Sequence, residues 1–515
     1  MSDSSFRNLL AAGICIALGV LLAAIWLNEY LPFQDYPEWL FQSRILHQIF
    51  AHGSSEGSGY ELQLFPIHPN ILVSLLLAGL QFVVPVKVAG KIVLTLIVLA
   101  FVFGWRFLMT RHQPLHPLRW LGIPLAFNYF FSMGFLSYCL GIGLMMFAVG
   151  WLFSGMTPYS PGKLMMLGLC ALVLFFTHGV AIAIFLMAVV LFLFTNNSYT
   201  RGQKRGVLAA CLPAIVLLLL YFGFGEKSGS VALYDSITHQ LISSRYAVCL
   251  FPRLIPLEPL LPVSYLNIAA LAAILGVVVL AWRASVATST PYRLLAWFLA
   301  AVVVLLPIER IGEFFPPNPR FLWPAVAFLA ASFVTTERAR RLEATIVGFG
   351  VVVAGLHFAQ LSFFNTEAMR IANTIQPYIQ NSKLPLVAAR GYVEEFDKRP
   401  SQLFSGGVRT MMHFPRYVQL EKMPTHVRTF DIGLVKARRS SPPEVYELDD
   451  ELEAQHLDEA LGVLRAHLSR AAAYVDCFVV IGTEQVLEQF KTVLLTAYKE
   501  SKSERNVLVM TRHLQ

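Results

Sequence analysis

Two carboxylates stand where the first apolar run of the chain ends. The run covers Leu9 to Leu27, and the stretch LPFQDYPEWL that follows it carries Asp35 and Glu38. A carboxylate can accept a proton in catalysis. The same residue types also suit a helix start, where Asp35 would cap the helix and Glu38 would favour its dipole. A charge at the bilayer centre costs about 2.5–3.5 kcal/mol and less near the interface, so stability tolerates this acid without explaining it.

The amino-acid composition indicates the environment in which most of the chain lies. The 515 residues are 56% hydrophobic and only 14% charged, and the mean hydropathy is +0.59. These values are typical of a polytopic membrane protein. The formal net charge is +8, but the basic residues are scattered through the joints between apolar runs. We interpret them as a topology signal and expect no nucleic-acid partner.

The apolar runs predict an α-helical membrane domain at residues 1–363, with about eleven transmembrane helices. The segment Asn70 to Val84 is short for a span, so we predict that it does not cross. The predicted spans cover residues 9–28, 88–109, 118–133, 137–154, 164–177, 180–195, 206–224, 264–281, 294–308, 321–335 and 344–362. This arrangement puts most basic joints on one face, which the positive-inside rule makes cytoplasmic. If Asn70 to Val84 did cross, the later basic clusters would be translocated.

The predicted topology leaves a few cations on the non-cytoplasmic side, and Arg245, Arg310 and Arg320 are among them. The same side carries the first loop at residues 29–90, the turn NYFFSMGFLSY, the THG sequence and the joint that contains NPRF. The N-terminus would be cytoplasmic. The chain after residue 363 would be extracytoplasmic.

Residues 364–515 have the charge density of a soluble protein and predict an α/β domain. LPLVAAR, CFVVIG and NVLVMTRH have strand length and composition, and the segment from Glu484 to Lys499 has helical spacing. A strand, a helix and a strand in succession predict that CFVVIG and NVLVMTRH pair in parallel. Because the tail carries no phosphate-binding or hydrolase motif, we assign it a binding or lid role.

The first loop carries a family resemblance. A first span that leads into FQDYP, then the amphipathic WLFQSRILHQIF and a surface segment PIHPNILVSLLLAGLQFVVP, resembles the GT-C superfamily of membrane glycosyltransferases. The later MGFLSYCLGIGL, THG and NPRFLWP segments are similar to those of bacterial members. Many members carry a second acid beside the first, whereas here Tyr36 is the neighbour of Asp35.

The resemblance implies transfer of a hexose or pentose from a polyprenyl-phosphate lipid to an extracytoplasmic glycan, lipid or protein. It also implies a multi-pass protein of the bacterial inner membrane, periplasmic on its outer side and in contact with membrane lipids. An acceptor hydroxyl needs a base, and Asp35 is our candidate. The leaving phosphate needs fixed cations, for which Arg320 fits best because a guanidinium can donate two bonds to phosphate. Arg310 and Arg245 are second choices.

Five further residues are candidates for lining the pocket: Glu38, Tyr36, His68, Tyr138 and His178. Four of them, Glu38, His68, Tyr138 and His178, also have a structural alternative. His178 could bond a neighbouring carbonyl at the end of its helix, and Arg320 could extend to lipid headgroups.

No cofactor is specified by the sequence. The six cysteines are dispersed without a CxxC motif, which argues against a zinc site or a disulfide framework. Asp35 and Glu38 leave Mg²⁺ or Mn²⁺ as an option, in a sparse oxygen site that water and phosphate would complete.

Two other classes of protein remain as alternatives. A lipid or solute transporter would also be polytopic, but internal repeats and mid-span charges are not evident in the central helices. A membrane sensor or scaffold with an extracytoplasmic domain would not need an acid at the end of its first span.

The topology gives a prediction about the C-terminus. We expect a reporter that is active only in the cytoplasm to stay silent when it is fused after Gln515, because the arginine pattern places the tail outside. The same reporter fused before Arg7 should be active. Cytoplasmic activity of the C-terminal fusion would overturn the topology.

Overall fold

A computed structural model describes most of the chain, in two compact units. The described residues are 3–52, 60–62, 67–153, 160–197, 199–224, 231–233, 263–283, 285–306, 308–311, 318–335, 340–383, 385–389, 414–420, 435–437, 457–504 and 506–512. The first unit comprises Met1–Trp26, Phe65–Val73 and Ile92–Gln360. The second unit comprises Leu27–Leu64, Ser74–Lys91 and Leu361–Gln515. The predicted domain boundary after residue 363 falls inside a continuous helix, and the domain division stays a prediction.

Helices dominate the first unit. They are α1 (Asp3–Trp26), α4 (Val86–His112), α5 (Tyr129–Ser132), α6 (Leu136–Phe153), α7 (Pro161–Thr177), α8 (Gly179–Thr195), α9 (Arg201–Phe224), α10 (Val263–Arg283), α11 (Thr290–Leu305), α12 (Leu322–Ser332) and α13 (Arg340–Asn381). The first residues of α4 and the last part of α13, from Leu361, belong to the second unit. Two short antiparallel pairs join β2 (Val231–Leu233) to β4 (Ile308–Ile311) and β3 (Ser285–Thr288) to β5 (Phe333–Thr335).

Among the described residues, five helices are long and apolar enough to cross a membrane: α1, α4, α6, α9 and α13. Most of α6 is buried by its neighbours, whereas α1 and α9 expose large apolar side chains such as Leu9 and Leu219. An exposed apolar helix face is stable in lipid and unfavourable in water. The chain is therefore a helical membrane protein. The count of eleven spans stays a prediction.

The predicted span at residues 118–133 is wrong as a continuous helix. The structure has successive turns there, with bonds from Leu121 N to Leu118 O (3.0 Å) and from Ile123 N to Trp120 O (3.0 Å), followed by the short α5. Pro124 interrupts the helical hydrogen bonding, because proline has no backbone N–H. The turns are buried, and Trp105 Nε1 donates to Leu118 O at 2.8 Å.

The surface segment predicted at Asn70 to Val84 contains one helix, α3 (Ile71–Leu80), of 10 residues. At 1.5 Å per residue it is about 15 Å long, about half the thickness of the hydrocarbon layer. This length agrees with a segment that does not cross.

The second unit contains short helices and one larger sheet. Its elements include α2 (Tyr36–His52), α14 (Phe414–Gln419), α15 (Leu457–Ala471), α16 (Glu484–Leu494), and the pair β1 (Tyr60–Leu62) and β7 (Val435–Ala437). The sheet contains β6 (Pro385–Ala389), β8 (Cys477–Ile481), β9 (Tyr498–Glu504) and β10 (Val507–Arg512), in the order β6-β8-β10-β9. Its core includes Phe478, Phe490 and Leu508.

The parallel pairing predicted for CFVVIG and NVLVMTRH is wrong. Strand β10 runs antiparallel to β8, while β6 is the parallel neighbour of β8. The reason is β9, a strand of sequence YKESKSE that forms a hairpin with β10 and reverses the direction of the chain. The predicted helix begins at Glu484 as expected but ends at Leu494, because β9 starts at Tyr498.

Candidate functional site

In the first unit, the turn NYFFSMGFLSY presents the start of α6. The side chain of Asn128 caps α5 by accepting bonds from Phe130 N and Phe131 N, at 3.0 and 3.2 Å. Gly134 then adopts a φ of 79°, a conformation that suits glycine best. The chain reverses there, and α6 begins at Leu136. Tyr138 therefore lies in the first turn of a buried helix.

His178 lies in the joint between α7 and α8 and takes part in ending one helix and starting the other. Its backbone N–H donates to Leu174 O at 2.9 Å, and its Nδ1 accepts from Val180 N at 3.1 Å. Because Nδ1 is an acceptor, the proton of a neutral ring lies on Nε2. Burial, followed by the nearby charge of Arg320, holds the pKa of His178 well below its usual range. The ring is neutral at pH 7.

Tyr138 joins His178 to Arg320. Its hydroxyl donates to Arg320 O at 2.6 Å, and its ring meets the His178 ring edge to face at 5.3 Å. The guanidinium of Arg320 lies 4.9 Å from the centroid of the Phe135 ring, which is a cation–π contact. We call Phe135, Tyr138, His178 and Arg320 the arginine cluster. It holds three of the residues that the sequence singled out, and the half-buried residue Arg320 supplies its positive charge.

The other candidates of the first unit lie elsewhere or are outside the described residues. The His68 ring packs edge to face against Tyr221 at 5.7 Å. Arg310 belongs to β4, where its backbone pairs with Ala232. Arg245 lies outside the residues that the structure describes.

In the second unit, residues 29–38 form what we call the acidic segment, and Asp35 lies near its end. Trp39 N donates to Asp35 O at 3.1 Å, so Asp35 occupies the N-cap position of α2. Its side chain is half-buried and accepts a bond from Gln34 Nε2 at 3.3 Å. Asp35 therefore stands at the position where the sequence predicted a cap as an alternative, and a capping role of its side chain stays a prediction.

Glu38 forms a buried ion pair that the sequence did not predict. Arg416 Nε donates to Glu38 Oε2 at 3.1 Å, and the two side chains are 3% and 2% exposed. The partners are 378 residues apart in the chain, and no motif surrounds Arg416. Glu38 is thus neither a simple first-turn acid nor a free second carboxylate.

Tyr36 is a packing residue at the start of α2. Its ring lies 6.0 Å from the Tyr417 ring and 6.3 Å from the Phe33 ring. A Cβ on Gly90 would overlap its hydroxyl, so glycine permits this close approach. Burial raises the pKa of Tyr36 and keeps it protonated.

The described acids of the second unit do not form the divalent-cation site that the sequence left open. In the part of the chain that the structure describes, no group of three or more His, Cys, Asp and Glu side chains is placed to hold a metal ion. Glu38 is committed to Arg416, which leaves Asp35 without the second carboxylate of the predicted site.

Comparison with known proteins bears on the fold. No protein-family model and no curated protein matches the chain. The crystal structure of ArnT from Cupriavidus metallidurans bound to undecaprenyl phosphate matches with a TM-score of 0.54 and 13% identity, covering 99% of this chain and 98% of ArnT. The apo state of the same protein matches with a TM-score of 0.53 and 12% identity, with the same coverage.

These similarities extend along nearly the whole chain, while sequence identity is very low. The match therefore shows the fold, which is the fold of ArnT. The resemblance that the first loop suggested is supported at this level. No particular member of the superfamily is singled out.

Proposed function

We propose that this chain is a membrane glycosyltransferase that moves a sugar from a polyprenyl-phosphate lipid to an extracytoplasmic acceptor. The observation that carries the proposal is the similarity, over 99% of the chain, to an ArnT structure bound to undecaprenyl phosphate. The acceptor would be a glycan, a lipid or a protein, and the sugar a hexose or a pentose. We place the protein in the bacterial inner membrane, with the reaction on the periplasmic side.

We assign Asp35 the role of general base. As the acceptor oxygen bonds the anomeric carbon, the bond from that carbon to the phosphate oxygen breaks and its electron pair stays with the phosphate. The acceptor proton passes to the Asp35 carboxylate. A carboxylate is a weak base towards an alcohol, so the transfer occurs late, when bond formation has made the hydroxyl acidic. The half-buried position of Asp35, directly before α2, suits this role.

We assign Arg320 to the leaving lipid phosphate. A guanidinium can donate two parallel bonds to phosphate oxygens and remains charged at any relevant pH. The bond from Tyr138 to the Arg320 carbonyl holds the backbone at this residue, and the contact with the Phe135 ring limits the freedom of the side chain. His178, neutral and capping its helix, would support the cluster without competing for the anion. Arg310 and Arg245 remain second choices.

The alternatives are less well supported. A transporter, sensor or scaffold gives no reason for an acid at the start of α2 or for a cation held against the Phe135 ring. The fold match to a protein bound to a polyprenyl phosphate favours the transferase.

The first prediction from this proposal concerns Arg320. We expect Arg320→Ala to raise the KM for the lipid donor by about tenfold or more, because a hydrogen bond to a charged group contributes about 1.5–3 kcal/mol. Arg320→Lys should have an intermediate KM, since lysine keeps the charge and loses the two-bond geometry. The measurement is donor-dependent transfer by purified variants, with the exposed Arg341→Ala as control. Equal donor affinity in the wild type and both Arg320 variants would reduce Arg320 to a lipid anchor.

The second prediction concerns Asp35. Asparagine keeps the shape and the capping ability of aspartate but cannot accept the proton. We expect Asp35→Asn to fold normally and bind donor normally while turnover falls by about 100-fold or more. Turnover, donor binding and thermal unfolding should be measured together.

Asp458→Asn, at an exposed helix position, is the matched control and should behave as wild type. Normal turnover of Asp35→Asn would leave Asp35 as a helix cap only. If Asp35→Asn loses fold, Asp35→Glu tests the same base, because it keeps the carboxylate and changes its reach.

A further inference from the structure

The acidic segment is bonded by two elements of the second unit that come much later in the chain. Asn365, in α13, accepts at its Oδ1 from Glu29 N and Tyr30 N, each at 2.8 Å. Tyr417, in α14, both donates to Leu31 O and accepts from Leu31 N, each at 3.1 Å. Backbone groups of the segment that a loop would normally offer to water are thus satisfied by side chains.

A second set of contacts lies beyond Asp35. Arg416 of α14 pairs with Glu38 of α2, and its guanidinium also lies 5.8 Å from the Phe41 ring centroid. The bonds from α14 therefore reach Leu31 before Asp35 and Glu38 after it. The carboxylate is bracketed by contacts from one short helix.

Aromatic rings fill the space between these bonds. The Tyr417 ring lies edge to face against Tyr30 at 5.2 Å, and the Phe414 ring lies 5.6 Å from Tyr30. Phe414 and Tyr417 are buried, and burial raises the pKa of Tyr417 well above its usual range, so its hydroxyl stays protonated and can donate. Asp35, in contrast, keeps part of its side chain exposed.

A buried ion pair needs a reason other than stability. Each ion loses its hydration on burial, and apolar side chains of similar volume often replace such a pair with no loss of stability. What an ion pair fixes better than apolar contacts do is one geometry, because the donor and acceptor atoms must align. The place of the Glu38–Arg416 pair, one helical turn after Asp35, makes that geometry relevant to the carboxylate.

We infer that Arg416 and Tyr417 are positioning residues, which hold the acidic segment so that the Asp35 carboxylate meets the acceptor hydroxyl. This inference rests on the proposed function and adds a role for α14 in it. Neither residue exchanges a proton or contacts the reacting atoms in this account. Each acts through the backbone or side chain of the acidic segment.

The test replaces the ion pair by apolar side chains of similar length. In the double variant Glu38→Met with Arg416→Met no unpaired buried charge remains, so thermal unfolding should stay close to wild type. We expect its kcat to fall by about tenfold or more with the donor KM unchanged, because displacement of a reacting group by about 1 Å can cost about 100-fold. Tyr417→Phe, which keeps the ring and loses both bonds to Leu31, should show the same split between kcat and KM.

The control is an ion pair of the same unit with no bond to the acidic segment. Lys491 and Glu500 lie 2.6 Å apart on α16 and β9, and the double variant Lys491→Met with Glu500→Met should keep the wild-type kcat. If the single variant Arg416→Met unfolds because Glu38 is left unpaired, the double variant still answers the question.

The outcomes separate the two proposals. A wild-type protein that transfers no sugar refutes the proposed function. A wild-type protein that transfers sugar, together with a stable Glu38→Met and Arg416→Met variant of unchanged kcat, refutes the positioning role and leaves the proposed function standing. A stable variant with reduced kcat and unchanged KM supports the positioning role.

Discussion

The ion pair between Glu38 and Arg416 is the contact on which the proposed placement of Asp35 depends. Burying two charges costs several kcal/mol per ion before their attraction is counted, so the pair persists only because its geometry is fixed on both sides. Glu38 belongs to α2, which begins directly after Asp35. Arg416 belongs to α14, which also holds Leu31 through Tyr417. The segment that carries the proposed base is therefore an ordered structure.

The arginine cluster follows a similar principle in the first unit. The Tyr138 hydroxyl donates to the backbone carbonyl of Arg320, and His178 Nδ1 accepts a bond that caps a helix. These polar groups orient the structure, while the guanidinium carries the charge. The proposed binding of phosphate would benefit from this arrangement, because a cation that must reorder on binding loses part of the affinity it provides.

Features that depend on neighbouring residues could be predicted from the sequence, and contacts between residues far apart in the chain could not. The acid at the end of the first apolar run and the short helix after Asn70 could be read from neighbouring residues. Arg416 could not be predicted as the partner of Glu38, because 378 residues separate them and nothing near Arg416 marks it. The span predicted at 118–133 is wrong because hydropathy reflects how apolar the residues are and does not reveal that Pro124 breaks the helix. The pairing predicted for β10 is wrong because β9, which reverses the chain before β10, is rich in charged residues and does not have the composition of a strand.

The central claim is that this chain transfers sugar from a polyprenyl-phosphate lipid, and the most direct measurement is transfer by the purified protein. The protein should be incubated with a panel of radiolabelled polyprenyl-phosphate sugars and candidate acceptors, and both the transferred label and the released polyprenyl phosphate should be measured. The account predicts that at least one donor gives transferred label and released lipid phosphate in equal amounts. Binding of these lipids without release of the sugar from any of them, across all acceptors, would contradict it.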